Sequence, residues 1–215
     1  MFLFPRFAIL TLVALLWASS GSAASISVTI TDDAGKPVSD AIVTVVIENR
    51  ALAQDADGAR LASATINQEN ETFDPGVVVI RTGGAVTFHN SDHTRHHVYS
   101  FKPIRRFELL QMPGESSAPI VFDKPGVVVV GCNIHDHMTA YILVTDAPWA
   151  RITDQGGLAS VTGLPTGRVS VSVWHHRLRP NIDPPSHSFV LEHTDSAVAI
   201  TIPLLPPRRP RPRDY

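Results

Sequence analysis

The chain has 215 residues, a formal net charge of −2 and 44% hydrophobic residues. That length suits one large domain or two small ones, and the near-neutral balance excludes a partner chosen by bulk charge, nucleic acid among them. A single cysteine excludes any disulfide framework within the chain.

Arg6 precedes an apolar run, Phe7 to Trp17, and small residues then fill Ala18 to Ala24. A run this short is a signal-peptide core and falls below the ~20 residues of a membrane span. Residues 1–24 are therefore expected to be an export signal, cleaved after Ala23 or Ala24. The expected location is the periplasm, with no stable membrane span after cleavage. An unpaired cysteine in an exported chain is either a small buried apolar residue or a metal ligand.

Ser25 to Thr31 alternates as a half-buried strand does. Asp32 to Val38 is a turn cluster, and Ala41 to Ile47 is a second strand. Residues 50–61 are polar and Ala-rich and read as a linker. From residue 62 the pattern changes. Ala64 to Gln68 is a short strand, and Phe73-Asp74-Pro75-Gly76 leads into the β-forming run Val77 to Arg81. Thr82-Gly83-Gly84 turns into Ala85 to Asn90. Next comes Arg95-His96-His97-Val98-Tyr99-Ser100-Phe101, of which adjacent residues must face opposite sides of a strand. An apolar island at Phe107 to Leu110 carries one strand, and Ser116 to Phe122 reads as another. Lys124-Pro125-Gly126 has the residue order of a type II turn.

Two apolar segments, Val127 to Val130 and Tyr141 to Val144, flank Gly131-Cys132-Asn133-Ile134-His135-Asp136-His137-Met138. A thiol, an imidazole and a thioether at three-residue spacing, on a loop between buried strands, suit a mononuclear copper site in which Met is the weak axial ligand. A second imidazole is needed, and the segment from His89 to His97 offers candidates.

The two segments together resemble the cupredoxins, the plastocyanin-like blue copper proteins. The short Cys-x-x-His-x-x-Met loop is most similar to that of amicyanin. The context from Arg95 to Phe101, Phe122 to Gly126 and Gly131 to Asp136 resembles plastocyanin-like proteins labelled as methylamine utilisation proteins. The resemblance covers residues 62–146. It implies a Greek-key β-sandwich with His96, Cys132 and His135 as strong ligands of one type 1 copper ion, and Met138 as the axial one. His97 stands where the family often has an Asn that ties the two ligand loops together, so His97 stays an alternative to His96. The resemblance also implies that the ring edge of His135 is the electron port. His137 stands beside it, where an aromatic residue is common. Asp136 is either a carboxylate that orients an imidazole or a solvated one. His89, His93, His175, His176, His187 and His193 read as surface or structural residues.

Beyond Val144 come an Asp-x-x-Gly turn at Asp154 to Gly157, a Leu-Pro-x-Gly turn at Leu164 to Gly167 and an alternating strand, Val169 to His175. Together with residues 25–49 they resemble a carboxypeptidase-regulatory-like, Ig/transthyretin-like sandwich. The expected class is all-β, with the cupredoxin sandwich (62–146) inserted into, or flanked by, a second small sandwich (25–49 and 147–204). Residues 205–215, rich in Pro and Arg, read as a disordered tail.

The function expected is single-electron transfer between protein redox partners, a dehydrogenase or a cytochrome, with amine oxidation as the setting the resemblance implies. Copper delivery, storage or sensing is the alternative; such sites favour Met-rich or His-rich exposed segments, and the chain has three Met. A copper enzyme is not expected, because a trinuclear centre needs several His-x-His pairs and only His135-x-His137 has that form.

Overall fold

The computed structural model describes residues 24–53, 60–180 and 183–207; the expected signal peptide up to residue 23 and the end of the tail lie outside them. Sixteen strands follow in chain order: β1 (Ala24–Asp32), β2 (Ile42–Ile47), β3 (Ser63–Glu69), β4 (Thr72–Asp74), β5 (Val77–Arg81), β6 (Ala85–Asn90), β7 (His96–Ser100), β8 (Phe107–Gln111), β9 (Ile120–Val121), β10 (Gly126–Cys132), β11 (Thr139–Thr145), β12 (Trp149–Ile152), β13 (Leu158–Leu164), β14 (Gly167–Trp174), β15 (Ser186–Leu191) and β16 (Ser196–Ile202). A short 3-10 helix, Arg50–Ala53, follows β2.

The strands form four sheets. Residues from the two ends of the described chain build one pair, β13-β1-β16 and β12-β2-β14-β15. Residues between them build the other pair, β5-β11-β10-β7-β8 and β4-β3-β6-β9. The inner sandwich is thus inserted between β2 and β12 of the outer one. In the outer sandwich β1 runs antiparallel to β13 and parallel to β16. Neither flank closes alone, because β1 and β2 find their partners only among strands that follow the insertion.

Alternation places each core. Ala24, Ile26, Val28 and Ile30 of β1 are buried, while Ser25, Ser27 and Thr29 lie on the other face. They join Val43, Val45, Val161, Val169, Val171 and Val173 in the outer core. The inner core packs Ile66, Phe88, Phe122, Val128, Val130 and Ile142 with Cys132 and Met138. Each such side chain contributes roughly 1.5–3 kcal/mol on full burial. A third cluster joins the two sandwiches: Ile42 and Ala150 from one side meet Leu61, Val77, Val79, Tyr141 and Leu143 from the other, with Trp174 against them. Here the Tyr141 ring stacks on His176 at 4.8 Å.

The Asp154 turn needs its second glycine. Gly157 has φ +72, and a Cβ there would run into the Ile30 carbonyl oxygen. Two local expectations change. Ser116 to Phe122 is not one strand: Ile120 and Val121 pair with β6, Ser116 makes an isolated bridge to His89 of the same strand, and between them Pro119 brings no N–H to a ladder. Lys124 to Gly126 is a bend and not a type II turn, since Gly126 sits at φ +137 and already opens β10.

Candidate metal centre

Strand pairing brings the site together. Cys132 ends β10 opposite Val98 of β7, and Gly131 lies opposite Tyr99. His96 opens β7 on the core-facing side, 0% exposed, and His97 faces outward with Nε2 3.4 Å from Glu108. The two ligand segments are tied by backbone: the Asn133 N–H donates to the His97 carbonyl at 2.9 Å. His97 therefore makes the tie through its main chain while its ring turns to Glu108. The loop closes on itself through the Met138 N–H, which donates to the His135 carbonyl at 3.0 Å. Met138 is buried in the same core cluster as Cys132.

Three donor atoms converge. Cys132 Sγ lies 3.7 Å from His96 Nδ1 and 4.0 Å from His135 Nδ1, and the two Nδ1 atoms are 3.2 Å apart. Among the described residues this is the group of three that could hold a metal ion. The triangle is the right size for one. Separations of 3.2 to 4.0 Å are ones that two imidazole nitrogens and a thiolate would span when holding a single ion.

Both imidazoles are turned by carboxylates. His96 Nε2 is 2.8 Å from Asp92 Oδ2, and His135 Nε2 is 3.5 Å from Glu71 Oε1. A carboxylate at Nε2 holds the proton there, which leaves the Nδ1 lone pair free for a metal. Two such lone pairs facing each other beside a buried thiol repel unless a cation or a proton lies among them. The donor set thus fits a bound metal.

Asp92 is itself held. Its oxygens accept the Asn70 N–H at 2.6 Å and the Glu71 N–H at 3.0 Å, and its own N–H donates to Asn90 Oδ1 at 3.0 Å. Burial pushes its carboxyl up. The Glu71 amide, the hydrogen bond from His96, the Asn70 amide and the charge of His96 outweigh that and leave its pKa below the usual carboxylate value. Asn70 and Glu71 form the two-residue turn between β3 and β4, both at φ 53. Such turns favour Asn-Gly, so Glu71 occupies a left-handed position that Asp92 stabilises. The Glu71 side chain then spans His135 and His137, 3.6 Å from His137 Nε2.

These two carboxylates are what sequence reasoning missed. Asp92 lay within reach of it, four residues ahead of His96. Glu71 left no local signal, being brought to His135 by the β3–β4 hairpin. Asp136 is exposed in the loop, and His137, 49% exposed, sits beside the less open His135 at 17%. His89 Nδ1 meets Ser116 Oγ at 2.8 Å, away from the donor triangle. His175 is buried and accepts the Arg177 N–H at 3.2 Å, so it is a structural residue of the outer sandwich.

Fold and site together define the class: an all-β protein, one sandwich set within a second, with a His2Cys cluster that could hold a metal. No protein-family model matches the chain, and no curated protein matches it. Among solved structures it is similar to a Cu-containing nitrite reductase from Thermus scotoductus, at 28% identity and a TM-score of 0.37 over 39% of this chain and 22% of that one. The chain thus spans under a quarter of that enzyme's length. It is also similar to a reduced variant of amicyanin, at 16% identity and a TM-score of 0.36, over 47% of this chain and 99% of that one. A purple cupredoxin from Nitrosopumilus maritimus matches at 21% identity and a TM-score of 0.34, over 38% and 99%.

Proposed function

We propose that this chain is an exported, periplasmic electron carrier built on one type 1 copper ion, with His96, Cys132 and His135 as strong ligands and Met138 as the weak axial one. The observation that supports the reading is the convergence of two imidazole nitrogens and one thiol on a single buried point, 3.2 to 4.0 Å apart. When bound, copper supplies a one-electron couple.

The rest is the work of the chain. Cys132 gives up its proton and offers a thiolate. His96 and His135 keep their protons on Nε2, against Asp92 and Glu71, and present Nδ1. Val98, Val130 and Ala140, all buried, keep water off the donors. The paired strands β7 and β10 and a short loop fix the donors in place, so little rearranges when one electron moves. Burial of His96 and Cys132 also favours this over copper delivery, which calls for an exposed and exchangeable site. Protein redox partners, a dehydrogenase or a cytochrome, complete the reading, with amine oxidation as the setting.

The test is reconstitution of the metal-free, reduced protein with Cu(II), read by visible absorption and electron paramagnetic resonance. An intense thiolate-to-copper band with narrow hyperfine splitting is expected, and Cys132→Ser abolishes it. The same band in the Cys132→Ser protein would sink the assignment.

A further inference from the structure

The outer face of the five-stranded sheet is only half covered. Its β5–β11 half, with Val79, Tyr141 and Leu143, packs on the outer sandwich. The same face continues across β10, β7 and β8 without a cover. There the rings of His97, Tyr99 and Phe101 follow one another at 6.5 and 4.8 Å, and Phe101 and Leu110 are 61% and 63% exposed. Tyr99 reaches this face by lying on Gly131: a Cβ at Gly131 would stand 3.1 Å from its ring. The strip therefore begins one residue from the Cys132 thiol.

At the end of the sheet away from the ligand loop, four cations lie on the segments that border the strip. Lys102, Arg105 and Arg106 come from the β7–β8 connection, and Lys124 from the bend before β10; all are exposed. Ile104 rests against Gly126, which brings the connection and the bend together. None of the four has an ion-pair partner among the described residues. Two carboxylates lie nearby: Asp123, beside Lys124, and Glu108, which His97 already engages at 3.4 Å. The metal mouth has the opposite sign, with Glu71, Asp136 and Asp92.

We propose that this uncovered half is the docking face for an acidic redox protein, one that presents an apolar patch ringed by carboxylates. Two observations choose that occupant. The face continues one that already buries apolar side chains against a β-sandwich, so its floor calls for an apolar complement. Its free charge is positive, which steers a carboxylate rim toward it. Aromatic and Arg side chains are also what protein interfaces gather. A phosphate backbone would satisfy the cations and leave Phe101 and Leu110 in water.

The proposal deepens the electron-carrier reading, and its test is built to fail separately. Two small c-type cytochromes serve as probes, one acidic and one basic around the haem edge. Each is titrated into the isotope-labelled, metal-free full chain, and amide shifts are followed by nuclear magnetic resonance. The acidic probe is expected to shift Tyr99, Phe101 and Leu110, to weaken at least tenfold between low and physiological salt, and to be lost in the triple variant Lys102→Glu/Arg105→Glu/Arg106→Glu. Phe101→Ser and Leu110→Ser, both on exposed side chains, should each weaken it severalfold. Preference for the basic probe, shifts confined to residues 133–138, or an unaffected triple variant would each overturn the proposal. So would a short DNA duplex that binds this face as tightly and ignores Phe101→Ser, which marks a polyanion site. Because no copper takes part, a missing blue colour refutes the carrier reading and leaves this result standing.

Discussion

Asp92 is the residue whose removal should reach furthest. Asp92→Ala deletes the acceptor of three hydrogen bonds, from the Asn70 amide, the Glu71 amide and His96 Nε2. Bonds to a charged acceptor contribute roughly 1.5–3 kcal/mol each. The Asn70 amide is open to water and counts least; the Glu71 amide and His96 are better shielded. The variant also leaves two left-handed residues without the groups that stabilise them, at a cost of order 1 kcal/mol each. Water recovers part of this, so about 2–4 kcal/mol is expected, out of the ~5–15 kcal/mol of a typical domain. Urea denaturation of the metal-free protein measures it. Metal affinity, followed by competition with a chelator, should fall ~10–100-fold, as it does when a carboxylate behind a ligand imidazole is lost. The sign with pH follows from the lowered pKa of Asp92. Its stabilisation is present above the ordinary value of 3.8 and is lost as pH falls through the lower folded value, so Asp92→Ala should flatten the acid limb of the stability curve. A variant within ~0.5 kcal/mol of the parent, with unchanged affinity and an unchanged acid limb, would refute the reasoning.

Three further outcomes can be checked. His96→Ala should cost copper binding far more than His97→Ala, because only the first ring lies beside Cys132 Sγ; equal losses in equilibrium dialysis would contradict the placement. His175 is held neutral, with its pKa lowered from 6.5 to about 4 by burial first and then by the charges of His176 and Arg177. The unfolded chain therefore binds a proton that the folded one refuses. Stability should be complete above pH 6.5 and fall on the way to pH 4, by up to about 3 kcal/mol, and His175→Gln should flatten that slope in denaturant titrations. Gly157→Ala should destabilise the outer sandwich by more than ~1 kcal/mol, since it meets both an unfavourable φ and the Ile30 carbonyl; a thermal midpoint equal to the parent's would show that the turn can shift.

The all-β class was legible because nearly every strand alternates in the sequence as it does in burial, β1 and β14 most clearly. β12 was not: Trp149 to Ile152 is short, and its place beside β2 is set by a partner over a hundred residues away. β15 was hidden for a different reason, being a polar edge strand with little apolar periodicity to read. Ser116 to Phe122 looked like a strand because its composition is right, and Pro119 decided otherwise. At the site, alternation says that one of His96 and His97 points inward but not which. The choice needs the register of β7 on β10, a fact about pairing and not about either segment. Asp92 stood in plain view at four residues from His96, yet a carboxylate in a polar loop has no signature until its donors are known.

Glu71 shows why the frame matters more than the motif. The loop from Cys132 to Met138 brings one thiol and, in His135, one imidazole of the donor triangle, and it cannot by itself choose which ring nitrogen faces the sulfur. That choice is made by Asp92 and Glu71, and both depend on one hairpin turn: Asp92 binds its amides, and Glu71 extends from it. The β3–β4 turn is in the four-stranded sheet, and the donors Cys132 and His96 are in the five-stranded one. Closing the inner sandwich is therefore the same event as setting both imidazoles. A chain with the ligand loop intact but β3 displaced would keep every donor and lose their orientation. Weak, broad-spectrum metal binding should then replace a single defined site, and Glu71→Ala combined with Asp92→Ala is the variant that imitates it.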